Sequence, residues 1–353
     1  MPELTDPDDD GILEFTQTVE DVDGDSLSIT LELDQVNGTT QSGSDRDPSW
    51  FSFTTSSSLS GGTRVVDVDV EIEASELGDA GTTYTFEFYA DDGNSTSSCT
   101  FTLEVISDVR DGTKLYEIGT DNNDIHEYDL STAWDISEAN QKQSINAQEQ
   151  GPEGLFFKPD GTKFYESGND NRKIYELDLS SPWDISTSQL NQSIDISNYD
   201  IDAFFFKPDG KKLYVIKKDE NLYEYDLSTA WDISTTTLNQ SVSLTNERLE
   251  GIYFRSDGEK MYVIQRASTN ILEYDLSTAW DISTATQNQS KSLSLSEVFD
   301  LTFKPDGQKA YIVSGNGIVE GELSTAWDIS TYSELRSISG SDSRTLGIEF
   351  GKR

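Results

Sequence analysis

The chain has 353 residues, of which 66 are acidic and 25 basic, for a formal charge of −41. Apolar residues still make up 34% and fall in patterned runs, which excludes a disordered polyanion. So negative a surface repels phosphate backbones and anionic headgroups, which excludes nucleic-acid binding and membrane insertion; it suits molar salt, where the Debye length is about 3 Å.

A single cysteine, Cys99, rules out an internal disulfide, and with one histidine, His126, zinc and Ser-His-Asp chemistry have almost nothing to be built from. His126 sits in a strand where other copies of a repeat carry Tyr175, Tyr223 and Leu272, and reads as a drifted strand position. No run of 18 apolar residues occurs, and no basic-then-apolar leader stands at Met1-Pro-Glu-Leu-Thr.

Residues 1–107 lack any repeat and read as an all-β domain. Ser26–Leu33, Val66–Ile72, Tyr84–Tyr89 and Cys99–Val105 alternate apolar with acidic or hydroxylated residues, as strands of a two-sheet sandwich do. Asp21, Asp23 and Asp25, with Asp91 and Asp92, are candidate calcium ligands. An EF-hand loop starting at Asp21 fails, because Gly24 is two places early and residues 26–33 alternate as a strand; an Asp-Gly-Asp turn is the simpler expectation. The segments Val19–Leu27, Trp50–Phe53 and Phe88–Gly93 resemble the dystroglycan-type cadherin-like, Ig-like module, which implies a spacer or adhesion stalk.

From residue 108 onward one sentence is written five times. The copies are read at Trp134, Trp183, Trp231, Trp280 and Trp327, spaced 49, 48, 49 and 47 residues apart, each followed by Asp-Ile-Ser. Asp-Gly pairs at 111, 160, 209, 257 and 306 keep the same beat. Each unit holds four short aromatic and β-branched runs broken by turn clusters, the grammar of a propeller blade. Units two to five open with a strand such as Leu155-Phe-Phe157 or Leu301-Thr-Phe303, whereas unit one has only Asp108-Val-Arg-Asp-Gly there. Leu346-Gly-Ile-Glu-Phe350 supplies the missing strand, so the expectation over 108–353 is a five-bladed β-propeller closed by its C-terminal strand, leaving no open edge.

The repeat Phe-Lys-Pro-Asp-Gly-x-Lys-x-Tyr-Val-Ile, followed by Ile-x-Glu-Tyr-Asp-Leu-Ser-Thr-Ala-Trp, resembles surface-layer (YVTN) propeller repeats and, more closely, the repeats of phage and halovirus structural proteins. The resemblance covers about residues 108–353 and is specific for fold, weak for function.

Three residue sets are candidates for function. The five tryptophans are either sugar platforms, as in five-bladed lectins, or wedges between blades; packing is the expected role, with Asp135, Asp184, Asp232, Asp281 and Asp328 capping the next turn. Glu153, Asp202 and Glu250 each lie seven residues before their Asp-Gly and Asp300 six before its own, which puts carboxylates around one mouth of the tunnel. Five-bladed hydrolases of the arabinanase type use such acids, but a cation, a water or plain solvation is expected here. The loops after the second strands diverge most, and Asp121, Asn122, Asn169, Arg172, Lys217, Lys218 and Arg266 are the candidate partner-binding residues.

Together these features lead to the expectation of a non-enzymatic virion surface protein of a halophilic virus, without cofactor beyond calcium or another cation. Its expected partners are other virion proteins, copies of itself, and a host glycan or surface-layer glycoprotein. The alternatives are a cell-surface adhesin or lectin, and a propeller glycoside hydrolase dependent on Asp202 and Glu250.

Overall fold

The computed structural model describes residues 110–352 apart from 121, 197–198, 219–220, 246, 316 and 342–343, together with the backbone of strands between 12 and 104. The chain divides into two units, Met1–Ser107 and Asp108–Arg353. In the first, Ile12–Asp21, Thr63–Glu73 and Phe51–Ser60 form one antiparallel sheet, and Thr39–Thr40, Ser28–Val36, Thr83–Asp91 and Thr96–Glu104 another, in those orders. Asp23, Asp25 and Asp92 lie outside the described residues, as do the side chains of Asp21, Asp91 and Cys99.

The second unit is a five-bladed propeller. Blade 2 shows the plan: Pro152–Phe157, Lys163–Gly168, Lys173–Leu179 and Ser188–Asp195 pair antiparallel in sequence order, innermost first. Blades 3, 4 and 5 repeat it from inner strands Ile201–Phe206, Leu249–Phe254 and Val298–Phe303. Blade 1 takes its inner strand from the chain's end: Thr345–Gly351 pairs with Lys114–Gly119, with Ile348 opposite Glu117 and Phe350 opposite Leu115.

The Asp-Gly and Trp markers form one local device. In blade 2, Asp160 Oδ1 accepts from the Thr162 amide at 2.9 Å. Gly161 turns with φ +70, a left-handed conformation cheap only for glycine. The indole of Trp183 then lies flat on that glycine; a Cβ there would come within 2.3 Å of Trp183 Nε1. The Trp183 amide donates to the Gly161 carbonyl at 2.9 Å, and Trp183 itself sits at φ 62, as its four counterparts do between 60 and 65. Asp184 follows as the cap of a 3-10 turn, accepting from the Ser186 amide at 3.1 Å. With their faces against glycine backbone and neighbouring aromatic rings, the tryptophans are packing elements and offer no sugar platform.

Blades are clasped in a ring. Tyr116, Tyr165, Tyr214, Tyr262 and Tyr311, one per second strand, each donate the phenolic O–H to the tryptophan carbonyl of the next blade, and Tyr311 returns to Trp134. A buried third-strand glutamate joins each clasp. Glu176 takes Lys163 Nζ at 2.7 Å and Gln192 Nε2 at 2.8 Å, while Gln192 also reaches Asp232 of the next blade at 2.8 Å. At the closing seam Arg336 replaces the glutamine and bonds Asp135 at 2.6 Å. His126 is a buried strand residue beside Tyr128, with Nδ1 3.0 Å from Gln141 Nε2.

Candidate active site

The propeller's inner strands all break register at the same place. Pairing jumps from Pro152 to Gly154, Ile201 to Ala203, Leu249 to Ile252, Val298 to Asp300 and Thr345 to Gly347. A bulge re-aims the side chain it carries. The residues left in the bulges of blades 2, 3 and 4 are Glu153, Asp202 and Glu250; their counterparts in blades 5 and 1 are Phe299 and Leu346.

Asp300 is out of step with that set. It occupies the inward-facing position that is Gly154, Ala203, Gly251 and Gly347 in the other blades. The smallness of Gly251 is required, since a Cβ there would lie 2.7 Å from the Asp300 Cα and 2.8 Å from its Oδ1. Asp300 accepts backbone amides of Leu301 at 2.8 Å and of Ile348 at 3.1 Å, so it also pins the closing strand to blade 5.

A small cavity on the axis, open to solvent, is lined by Glu153, Asp202 and Asp300 with Phe156, Phe205 and Tyr253. Glu250 stands off that wall. Arg248 bridges the two neighbouring acids, with Nη2 2.7 Å from Asp202 Oδ1 and Nε 3.0 Å from Glu250 Oε1. Arg266 approaches Glu250 at 2.9 Å. Guanidinium groups of the chain thus neutralise part of this acidic cluster.

Glu153, Asp202 and Glu250 are only 7%, 4% and 1% exposed, so plain solvation does not describe them. Burial, then the like charges of Glu250 and Asp202, push the Glu153 carboxyl up to about 8, against the pull of Arg344 and Arg248. Burial and the Asp202 charge bring Glu250 to about 7. Burial likewise raises Asp300 to about 7 although two amides favour its charged form. Asp202 is raised by burial too, with the Arg248 bond opposing. Near neutral pH the mouth thus holds a protonated Glu153 beside Asp202, whose carboxyl is bonded to the Arg248 guanidinium, a pairing suited to general acid and base chemistry.

The divergent loops gather at the same mouth. Asn169 donates to Glu153, Arg266 holds Glu250, and Arg172 and Lys218 both reach Asp200, at 3.1 and 2.7 Å. Lys217 departs from expectation: it is 5% exposed, its ammonium turned inward to the Ile196 carbonyl at 2.9 Å and the Tyr225 hydroxyl at 2.7 Å, over the Tyr223 ring, so it is no surface contact. Asn122 is exposed on the blade 1 loop, and Asp121 lies outside the described residues. Arg248, Arg344 and Phe299 escape a reading of the repeat; the visible signal is arginine itself, scarce in so acidic a chain.

No family model and no curated protein matches the chain. Solved structures similar to it include a putative 6-phosphogluconolactonase from Bacteroides uniformis, 12% identical over 78% of this chain and 83% of that one, with TM-score 0.43. A periplasmic gluconolactonase from Pseudomonas aeruginosa is 14% identical over 73% and 80%, with TM-score 0.41. A Lactobacillus plantarum protein is 13% identical over 72% and 78%, also with TM-score 0.41. Likeness this loose says nothing of substrate.

The expectation of a non-enzymatic virion surface protein is corrected. Its non-enzymatic part took the mouth acids as solvated side chains, and Glu153, Asp202 and Glu250 are buried. The expectation also rested on acids at equivalent positions with no local irregularity, and the folded chain has that irregularity: Asp300 in a glycine's place, and Phe299 and Leu346 where acids are due.

Proposed function

We propose that the chain is a glycoside hydrolase whose active site is the axial mouth of the propeller. What supports the reading most is the convergence of buried carboxylates from successive blades, at bulges, on a cavity open to solvent. Glu153, protonated near neutrality, donates its proton to the leaving glycosidic oxygen. Asp202, paired with Arg248, is the carboxylate that activates water or attacks the sugar carbon. The C–O bond breaks, water adds across it, and the proton returns to Glu153. Glu250 positions Arg248 from outside the cavity wall, and Asp300 sets the floor. An extracellular glycan is the substrate class, with the unit Met1–Ser107, read as an Ig/cadherin-like sandwich, acting as a spacer.

Reducing-end release from a panel of polysaccharides tests this with the full chain. Asp202→Asn and Glu153→Gln should each lower kcat by about 100-fold or more, and Glu250→Gln should fall less. Absence of cleavage across the panel, or full activity in Asp202→Asn, overturns the assignment.

A further inference from the structure

The ring of inner-strand bulges has two unlike sectors. Blades 2 to 4 present acids, and blades 5 and 1 present Phe299 and Leu346 in the same bulge. Two guanidinium groups lie on Phe299, with Arg266 Cζ 4.9 Å and Arg344 Cζ 5.3 Å from the ring centroid. Such stacking holds a guanidinium in a fixed plane while leaving its N–H edge available.

Arg344 is also set apart by its charge partners. Arg110, Arg172, Arg248, Arg255, Arg266 and Arg336 each have a carboxylate within salt-bridge reach. Among the described residues Arg344 has none; it is exposed, and its charge acts on the cavity residue Glu153. No carboxylate among the described residues neutralises Arg344 although the chain carries net charge −41, and that leaves its N–H edge open to an anion from outside. A neutral sugar wants a bare aromatic face, and here the face of Phe299 is covered by cations.

We infer that Arg344, planted on Phe299 beside Arg266, is the anion subsite of the axial mouth, and that the glycan taken is acidic, its ring bearing a carboxylate or a sulfate. Fork-shaped donors match either group in bidentate geometry. The inference rests on the hydrolase reading for the nature of the ligand, and deepens it.

Calorimetric titration of the full chain carrying Asp202→Asn separates binding from turnover. The titrants are a galacturonate oligomer, its methyl ester, and a sulfated galactose oligomer, at 0.15 M salt, where the Debye length is about 8 Å. Binding of at least one acidic oligomer is expected, with the methyl ester weaker, and adding Arg344→Gln should cost the acidic ligand about tenfold or more. Arg344→Lys should restore part of the loss. Whichever acidic oligomer binds more tightly identifies the anion. An unchanged melting temperature in Arg344→Gln controls for folding. Equal binding of ester and acid, no effect of Arg344→Gln, or no binding of either acidic oligomer overturns the subsite. Arg344-dependent binding without cleavage by the wild-type chain would sink the hydrolase and leave the subsite standing; cleavage of neutral glycans unaffected by Arg344→Gln would do the reverse.

Discussion

The Tyr311 hydroxyl of blade 5 donates to the Trp134 carbonyl of blade 1 at 2.5 Å, across 177 residues of sequence. The same bond joins Tyr214 to Trp280 at 2.7 Å, across 66 residues. The closing seam thus carries the same tyrosine bond as an internal one. Tyr311→Phe and Tyr214→Phe should each cost about 1 kcal/mol by denaturant titration; a silent Tyr311→Phe beside a costly Tyr214→Phe would mean that the ring closes differently.

Removing residues 345–353 takes away the inner strand of blade 1 and exposes Lys114–Gly119 as an open edge. The truncated chain should lose its cooperative melt and associate on size exclusion. A monomer with wild-type circular dichroism would contradict closure by the tail.

Gly210→Ala should be among the most damaging single-methyl changes in the propeller. The new Cβ would meet Trp231 at 2.4 Å, on a backbone at φ +69. A loss of about 2 kcal/mol or more is expected. Gly315→Ala is the control, because its nearest neighbour is the end of the flexible Glu297 side chain at 3.2 Å.

Glu224 is 1% exposed and takes Lys212 at 2.5 Å, with Asn239 and Gln240 each at 2.8 Å. Glu224→Ala takes the buried acceptor away from those partly exposed donors and should cost about 1–3 kcal/mol. Substituting the exposed partner, Asp226→Ala, should cost below about 1 kcal/mol by the same titration.

Glu166 is fully buried, and burial raises its carboxyl from 4.5 to about 7 although it accepts the Glu149 amide at 2.9 Å. A folded-state value above the unfolded one means that the native chain holds the proton more tightly. The stabilisation is complete below 4.5 and is lost as pH rises toward and through 7. Glu166→Gln should therefore flatten the fall in melting temperature between those limits, by an amount on the order of 3 kcal/mol. Parallel melting curves for the two proteins would refute the buried proton.

Much of the propeller was legible because its signals are local and repeated. Asp-Gly followed by Trp at a fixed distance records a turn in which the indole needs a bare Cα beneath it, and five copies of that constraint leave five copies in the text. The missing opening strand was legible for the same reason, as a gap in one copy matched by a surplus at Leu346–Phe350. Lys217 was misread because exposure is not periodic: its neighbour Lys218 faces solvent, while Lys217 alternates inward onto Tyr223 and Tyr225.

By itself the sequence determined the strand count, the blade boundaries, the ring closure and the acidic surface, since each follows from short-range pattern or from composition. Only the tertiary structure decided what the acids do. A bulge moves a side chain by one residue's worth of backbone, which no period of 47 to 49 residues records. Burial and charge proximity around Glu153, Asp202 and Arg248 arise from residues 46 to 95 positions apart that meet only when the blades close on a common axis.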